Sequence, residues 1–175
     1  MRTTPLLLLL TLLPLASLLP GCSANPAAGY SFASTYPAGV RTVAVPMFAN
    51  STMHTGVEAE VTEALIKELQ RSTPLRVTST DGADSVLVGV VRDVQMRRLS
   101  LDRRTGLVQE VAVQITVDFE WTDRRNGKRL ASRQGLSTAD TFVAARPSSE
   151  TIEVGEIGAA SRLAKEIAGE LRADW

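Results

Sequence analysis

The chain has 175 residues and is poor in the groups that most protein chemistry draws on. It contains one cysteine, Cys22, so no internal disulfide can form. It contains one histidine, His54, which weakens any proposal of a histidine-built metal centre or catalytic triad. Net charge is missing too: 19 basic residues balance 19 acidic ones, so no overall field draws the chain to nucleic acid. No apolar run is long enough to make a good membrane span. No glycine-rich phosphate loop precedes a helix, no serine sits between glycines, and no cluster of metal ligands occurs. The sequence therefore points away from cofactor, metal or catalytic chemistry, and any charge-driven contact must come from local patches.

What is present begins with an address. Arg2 supplies a positive start, Leu6 to Leu19 an apolar run marked by Pro14, and Leu19-Pro20-Gly21-Cys22 a small residue before the lone cysteine. This layout resembles the signal and lipobox of bacterial lipoproteins. The resemblance implies cleavage before Cys22 and acylation there. Each buried methylene of an acyl chain contributes about 0.8 kcal/mol, so several chains hold stably. Residues 1–21 are then removed, which deletes only Arg2 among the charged residues and leaves 18 basic against 19 acidic. Ser23 stands where an aspartate would imply retention in the inner membrane, which favours the outer membrane. Residues 22–39 are small, polar and marked by Pro and Gly, and they read as an acylated tether.

The domain, residues 40–175, is organised around Gln109 to Thr122. Val111, Val113, Ile115, Val117, Phe119 and Trp121 alternate with Glu110, Ala112, Gln114, Thr116, Asp118 and Glu120. Strict alternation of β-branched and aromatic residues predicts a long strand with one apolar and one wet face. Before it, Arg41 to Phe48 reads as a short strand in which Pro46 forces a bulge or a locally unpaired edge. Thr55-Gly-Val-Glu58 predicts a capping box, with Thr55 bonding the amide of Glu58 and Glu58 returning the bond. The helix it opens runs to about Arg71, with Val57, Val61, Leu65 and Leu69 as its apolar stripe.

Leu75 to Ser79 is a brief strand, and Asp81-Gly82 a turn. Ser85–Leu99 begins as a buried strand and finishes polar, with Gly89 marking a bulge or a close helix contact. Asn126-Gly127 predicts a type I′ hairpin. The next strand runs from about Arg129 to Val143, so three strands form an antiparallel meander. Pro147-Ser-Ser-Glu150 begins a second helix, with Ile157, Ala160, Ala164, Ile167 and Leu171 as its stripe and Gly155 and Gly158 close to the sheet. The fold class is α+β: a two-layer sandwich with two helices on one face of a mixed, largely antiparallel sheet.

The lipobox, Phe48-Ala-Asn-Ser-Thr52, Glu58 to Leu65, Ala83-Asp84-Ser-Val-Leu-Val-Gly89 and Asp123 to Leu130, taken together, resemble the LptE family of lipopolysaccharide-assembly lipoproteins. The resemblance covers roughly residues 29–172. It implies a non-enzymatic lipoprotein on the periplasmic side of the outer membrane, without cofactor or metal. Its implied partners are an LptD-type β-barrel, which it plugs and helps assemble, and lipopolysaccharide, which it helps deliver to the outer leaflet. Membrane contact is through acylated Cys22, and no nucleic acid is expected. The other reading of the same residues is a periplasm-facing lipoprotein adaptor of a different envelope or secretion complex.

Two basic clusters could meet the phosphates and carboxylates of lipopolysaccharide, which arginine can grip in bidentate fashion. In a meander, the turn holding Arg103 and Arg104 lies at the same end as the exit near Arg146, so these three are the favoured site. Arg97 and Arg98 precede them. Arg124, Arg125, Lys128 and Arg129 form a secondary cluster at the opposite end. His54 reads as a loop residue.

Overall fold

A computed structural model describes residues 35–101, 103–104, 108–143 and 151–172. Cys22 and the export signal, Arg146 and the expected helix start at 147–150 lie outside the described residues. Six strands are present: β1 (Thr42–Ala44), β2 (Ala49–Asn50), β3 (Arg76–Val77), β4 (Ser85–Leu101), β5 (Val108–Asp123) and β6 (Arg129–Val143). Two helices, α1 (Val57–Ser72) and α2 (Ile152–Glu170), complete the described fold. The sheet order is β3-β1-β4-β5-β6, with β2 following β1 along the edge of β4. β1, β2 and β3 pair in parallel, whereas β4, β5 and β6 form the expected antiparallel meander. The helices lie against each other, with α2 on β5 and β6. Both helices thus cover one face of a mixed sheet.

The alternation in β5 holds. Val113, Ile115, Val117, Phe119 and Trp121 are buried toward the helices, and Val111 packs partly buried at the end of the row. Burying a tryptophan requires a partner for its N–H. Trp121 donates to the Ser85 hydroxyl at 3.0 Å, and that hydroxyl donates to the Thr42 carbonyl at 2.9 Å. The relay ties β5, β4 and β1 together inside the core. The stripe of α1 is also as expected: Val57, Val61, Leu65 and Leu69 are all buried.

Several local expectations are corrected. The cap of α1 is Gly56, in a left-handed conformation with φ 98°, and no side chain caps it. Glu58 does reach back, but to the Gly56 N–H at 3.1 Å, and it also accepts from Asn50 Nδ2 at 2.7 Å. Asn50 displaces Thr55 from the reciprocal arrangement. Pro46 breaks the first run into β1 and β2, leaving Met47 exposed and turning Phe48 into the core. Gly89 makes room for that ring and not for a helix, since a Cβ there would collide with Phe48. The β5–β6 turn is not a two-residue type I′ hairpin. Asp123 accepts from the Gly127 N–H and donates to the Lys128 carbonyl, both at 2.8 Å, so the turn closes over four residues.

In α2, Ala160, Ala164, Ile167 and Leu171 are buried as expected, but Ile157 is exposed. Gly155 and Gly158 bring the helix onto the sheet: a Cβ on Gly155 would lie 2.8 Å from Phe142 and 2.9 Å from Val113. Ile157 follows Gly155 by two residues, about 200° around the helix, and so faces away. The folded chain also begins earlier than residue 40, because Tyr36 is buried and joins the core cluster.

Candidate functional site

The meander sets up two ends. β5 runs the length of the sheet, roughly 50 Å at about 3.3 Å per residue. Its start lies beside the turn holding Arg103 and Arg104, and its end leads into Arg124 and Arg125. β6 returns to the first end, where Val143 pairs with Glu110, which also pairs with Ser100 of β4. The chain therefore leaves β6 at the same end as Arg103 and Arg104. Arg146 itself lies outside the described residues.

At that first end Arg103 and Arg104 are exposed. Arg97 and Arg98 precede them on β4, opposite Ala112 and Val111 of β5. Successive residues point to opposite faces, so Arg97 lies on the face away from the helices and Arg98 on the helix side. Arg97 reaches Gln114 Oε1 at 3.5 Å. Met96, Leu99 and Leu101 are exposed on the same strand as Arg97 and Arg98, and Val154 and Ile157 are exposed at the start of α2. Sequence reading passed over this apolar company. Register shifts near Leu99 and Ser100 break the alternation that would have assigned those residues a face.

The opposite end is built differently. Arg125 lies along Asp123, with its backbone N–H and Nε on Oδ1 at 2.9 and 3.0 Å and Nη2 on Oδ2 at 2.7 Å. Its Nη1 donates to the Gly39 carbonyl at 2.9 Å. Gly39 has φ 86°, and a Cβ there would lie 3.0 Å from the guanidinium. Arg124 donates to the Thr80 carbonyl and, at 3.4 Å, to that of Ala83. Arg129 pairs with Glu120 at 3.3 Å, while Lys128 is exposed. Asp84 accepts from the backbone N–H groups of Arg41 and Thr42, each at 3.0 Å, and from the Thr42 hydroxyl at 2.9 Å. Those bonds, the Arg41 amide foremost, hold its carboxyl below the ordinary carboxylate range. The Arg125 guanidinium, through its side-chain hydrogen bond, does the same for Asp123. Arg124 and Arg125 are thus committed to stitching the chain entry and the β3–β4 connection onto the β5–β6 turn.

The sheet face away from the helices holds a shallow cavity of about 260 Å³ that includes Val88, Arg92, Asp118, Glu120, Ser132 and Gln134 in its lining. Asp118 sits between two register shifts, one at Arg92 in β4 and one at Gln134-Gly135 in β6. It accepts from the Gly135 N–H at 2.8 Å and from Arg92 Nε at 2.6 Å, and the Gly135 bond is the main cause of its lowered pKa. Gly135, with φ 65°, is the one sequence signal that could have located this bulge. Nothing among the described residues covers this face, and its β5 row is polar except for Ala112.

His54 lies in the loop before α1. Its carbonyl accepts from Asn50 Nδ2 at 2.6 Å, and its N–H donates to Thr52 at 3.1 Å. Among the described residues no helix is long and apolar enough to cross a membrane.

A family model described as LptE, lipopolysaccharide-assembly, matches residues 40–174. No curated protein matches the chain in sequence. Solved structures share its fold at low identity. A PelC variant dodecamer from Paraburkholderia phytofirmans is 21% identical over 83% of this chain and 96% of that chain, with a TM-score of 0.52. A hypothetical protein from Chlamydia trachomatis is 13% identical over 75% and 98%, also with a TM-score of 0.52. A protein from Xanthomonas campestris is 12% identical over 78% and 88%, again with a TM-score of 0.52. At these identities the likeness concerns the fold alone.

Proposed function

Because the chain belongs to the LptE family of lipopolysaccharide-assembly proteins, we propose that it is a non-enzymatic outer-membrane lipoprotein that plugs an LptD-type β-barrel, helps it assemble, and assists delivery of lipopolysaccharide to the outer leaflet. The observation that carries this reading is the family match, which takes in the whole helix-and-sheet domain. The uncovered sheet face supports it. Gln114, Thr116, Asp118 and Glu120 of β5 and Ser132 and Ser137 of β6 make that face polar, and the inside of a large barrel is polar as well. The anchor belongs to Cys22, on the periplasmic side. The contact with lipopolysaccharide belongs to the end that carries Arg103, Arg104 and the exit toward Arg146. There exposed guanidinium groups adjoin exposed apolar side chains, as an anionic amphiphile requires.

Cells depleted of the protein test the reading. The proposal expects less mature, heat-modifiable barrel and less lipopolysaccharide at the cell surface, both restored by the wild-type chain. Restoration by Cys22→Ala should be weaker, and that variant should leave the membrane fraction wherever the barrel is absent. Undiminished barrel maturation and surface lipopolysaccharide after depletion would refute it.

A further inference from the structure

The chain has three asparagines, Asn25, Asn50 and Asn126, and the fold treats the last two in opposite ways. Asn25 precedes Pro26, whose nitrogen carries no hydrogen. Asn50 has its carboxamide bound at both ends. Its Nδ2 donates to the His54 carbonyl at 2.6 Å and to Glu58 Oε2 at 2.7 Å, and its Oδ1 accepts from the Thr52 N–H and hydroxyl, each at 2.8 Å. The next main-chain nitrogen, that of Ser51, is held on the Val91 carbonyl at 2.9 Å. Asn126 is exposed in the β5–β6 turn and is followed by Gly127. Its Nδ2 has no hydrogen-bond partner among the described residues.

An asparagine carboxamide can be attacked by the main-chain nitrogen that follows it. A bond forms from that nitrogen to Cγ, the Cγ–Nδ2 bond breaks, and a succinimide ring results. The attacking amide gives its proton to water, and the departing nitrogen takes one up and leaves as ammonia. One water then opens the ring at either carbonyl, which yields aspartate or isoaspartate, and nothing is oxidised or reduced. The turn favours this reaction at Asn126. Gly127 has no side chain to screen its nitrogen, and a Cβ there would meet nothing within 4 Å, so the approach is open. The Lys128 N–H donates to Asn126 Oδ1 at 2.8 Å, onto the oxygen that gains negative charge as the new bond forms. The unpartnered Nδ2 is free to leave. One contact opposes the reaction. The Gly127 N–H donates to the Asp123 carbonyl at 2.8 Å, which turns its proton away from the solvent base that must remove it. Asp123 is in turn gripped by Arg125, with Nη2 on Oδ2 at 2.7 Å, and Arg125 Nη1 reaches the Gly39 carbonyl at 2.9 Å.

We propose that Asn126 is a self-modification site. Its carboxamide passes through a succinimide with Gly127 to aspartate and isoaspartate, and the grip of Arg125 on Asp123 sets the rate by holding the turn closed. Isoaspartate routes the main chain through the former side chain and lengthens it by one carbon. The turn is closed by the Asp123 N–H on the Lys128 carbonyl at 2.8 Å, and that closure does not survive a longer chain unchanged. Conversion therefore loosens the tie that Arg125 makes between this turn and the chain entry at Gly39. The inference stands on the turn alone and does not depend on the barrel reading.

The test follows the full chain, purified in detergent and held at mildly alkaline pH and physiological temperature. Peptide mass mapping and enzymatic methylation of isoaspartate are the readouts, and a free peptide of residues 122–130 is incubated beside the protein. Asn126 should convert at least about tenfold faster than Asn50 and more slowly than the free peptide, with isoaspartate among the products. Arg125→Ala should bring the Asn126 rate toward that of the peptide and leave Asn50 unchanged. If that variant does not fold, urea below the unfolding transition supplies the same comparison on the wild-type chain, because it raises the open population of the turn. No conversion at Asn126, equally fast conversion at Asn50, a folded rate equal to that of the peptide, or a rate indifferent to Arg125 and to urea would overturn the proposal.

Discussion

At the scale of the residue, the two arginine pairs have different surroundings. Arg124 and Arg125 spend their donors on Thr80, Ala83 and Gly39 carbonyls and on Asp123. Arg103 and Arg104 are exposed at a turn. Arg103→Glu with Arg104→Glu should weaken lipopolysaccharide binding about tenfold, roughly 1.4 kcal/mol, and leave the fold intact. The same reversal at 124 and 125 puts carboxylates beside Asp123 and Asp84 and leaves three carbonyls short of donors. It should lower unfolding stability by about 1–3 kcal/mol. Binding isotherms at two salt concentrations, with urea unfolding of both variants, separate the outcomes. Unchanged stability in the second variant would contradict the stitching role. Glu156 carries a different prediction. Burial pushes its carboxyl above the ordinary 4.5, with Glu153 and Glu60 adding to the effect and His54 opposing it. A raised folded pKa means the protonated form favours folding. That contribution is complete below the unfolded value and is lost as pH rises through the folded one. Ionised Glu156 therefore costs stability at neutral pH. Glu156→Gln should be more stable than wild type at neutral pH, with the gain fading toward about pH 4. A gain independent of pH would contradict this account.

At the scale of the element, glycines show where packing is tight. Gly155 of α2 has Phe142 and Val113 beneath it, whereas Gly169 in the same helix has no neighbour that a Cβ would meet. Gly169→Ala should stabilise by about 0.5–1 kcal/mol through helix propensity alone. Gly155→Ala gains the same propensity but should lose about 1–3 kcal/mol to overpacking, so its net effect should be destabilising. Thermal unfolding of the two variants gives the comparison, and equal stabilisation by both would show that α2 does not need its close approach. These elements also show what a sequence can and cannot reveal. The α1 stripe and the β5 alternation were legible because each residue's environment follows from neighbours within one turn or one pleat. The exposure of Ile157 was not, because it follows from how two glycines seat α2 on a sheet far away in the chain. The burial of Tyr36, and Gly89 as a seat for Phe48, are likewise tertiary facts. The structural duty of Arg124 and Arg125 was hidden for the same reason. Their acceptors lie 44, 41 and 86 residues away, so the cluster looked like a charged hairpin end.

At the scale of the whole molecule, the described residues of this two-layer domain leave one sheet face uncovered and one end rich in exposed arginine and apolar side chains. Helices alone do not finish such a fold, and the family reading supplies what would cover it: a barrel lumen around the polar face and lipid at the arginine-bearing end. The fold class and the order of elements were readable from periodicity. Family membership was readable because motifs at both ends of the domain keep their order and spacing. The most direct measurement is purification of the tagged, acylated full chain from outer membranes solubilised in mild detergent, followed by native mass determination of what accompanies it. The account predicts a stoichiometric complex with one LptD-type barrel that survives high salt and is retained in the Arg103→Glu, Arg104→Glu variant. Recovery of the chain free of any barrel, or only in a ring of its own copies, would contradict it.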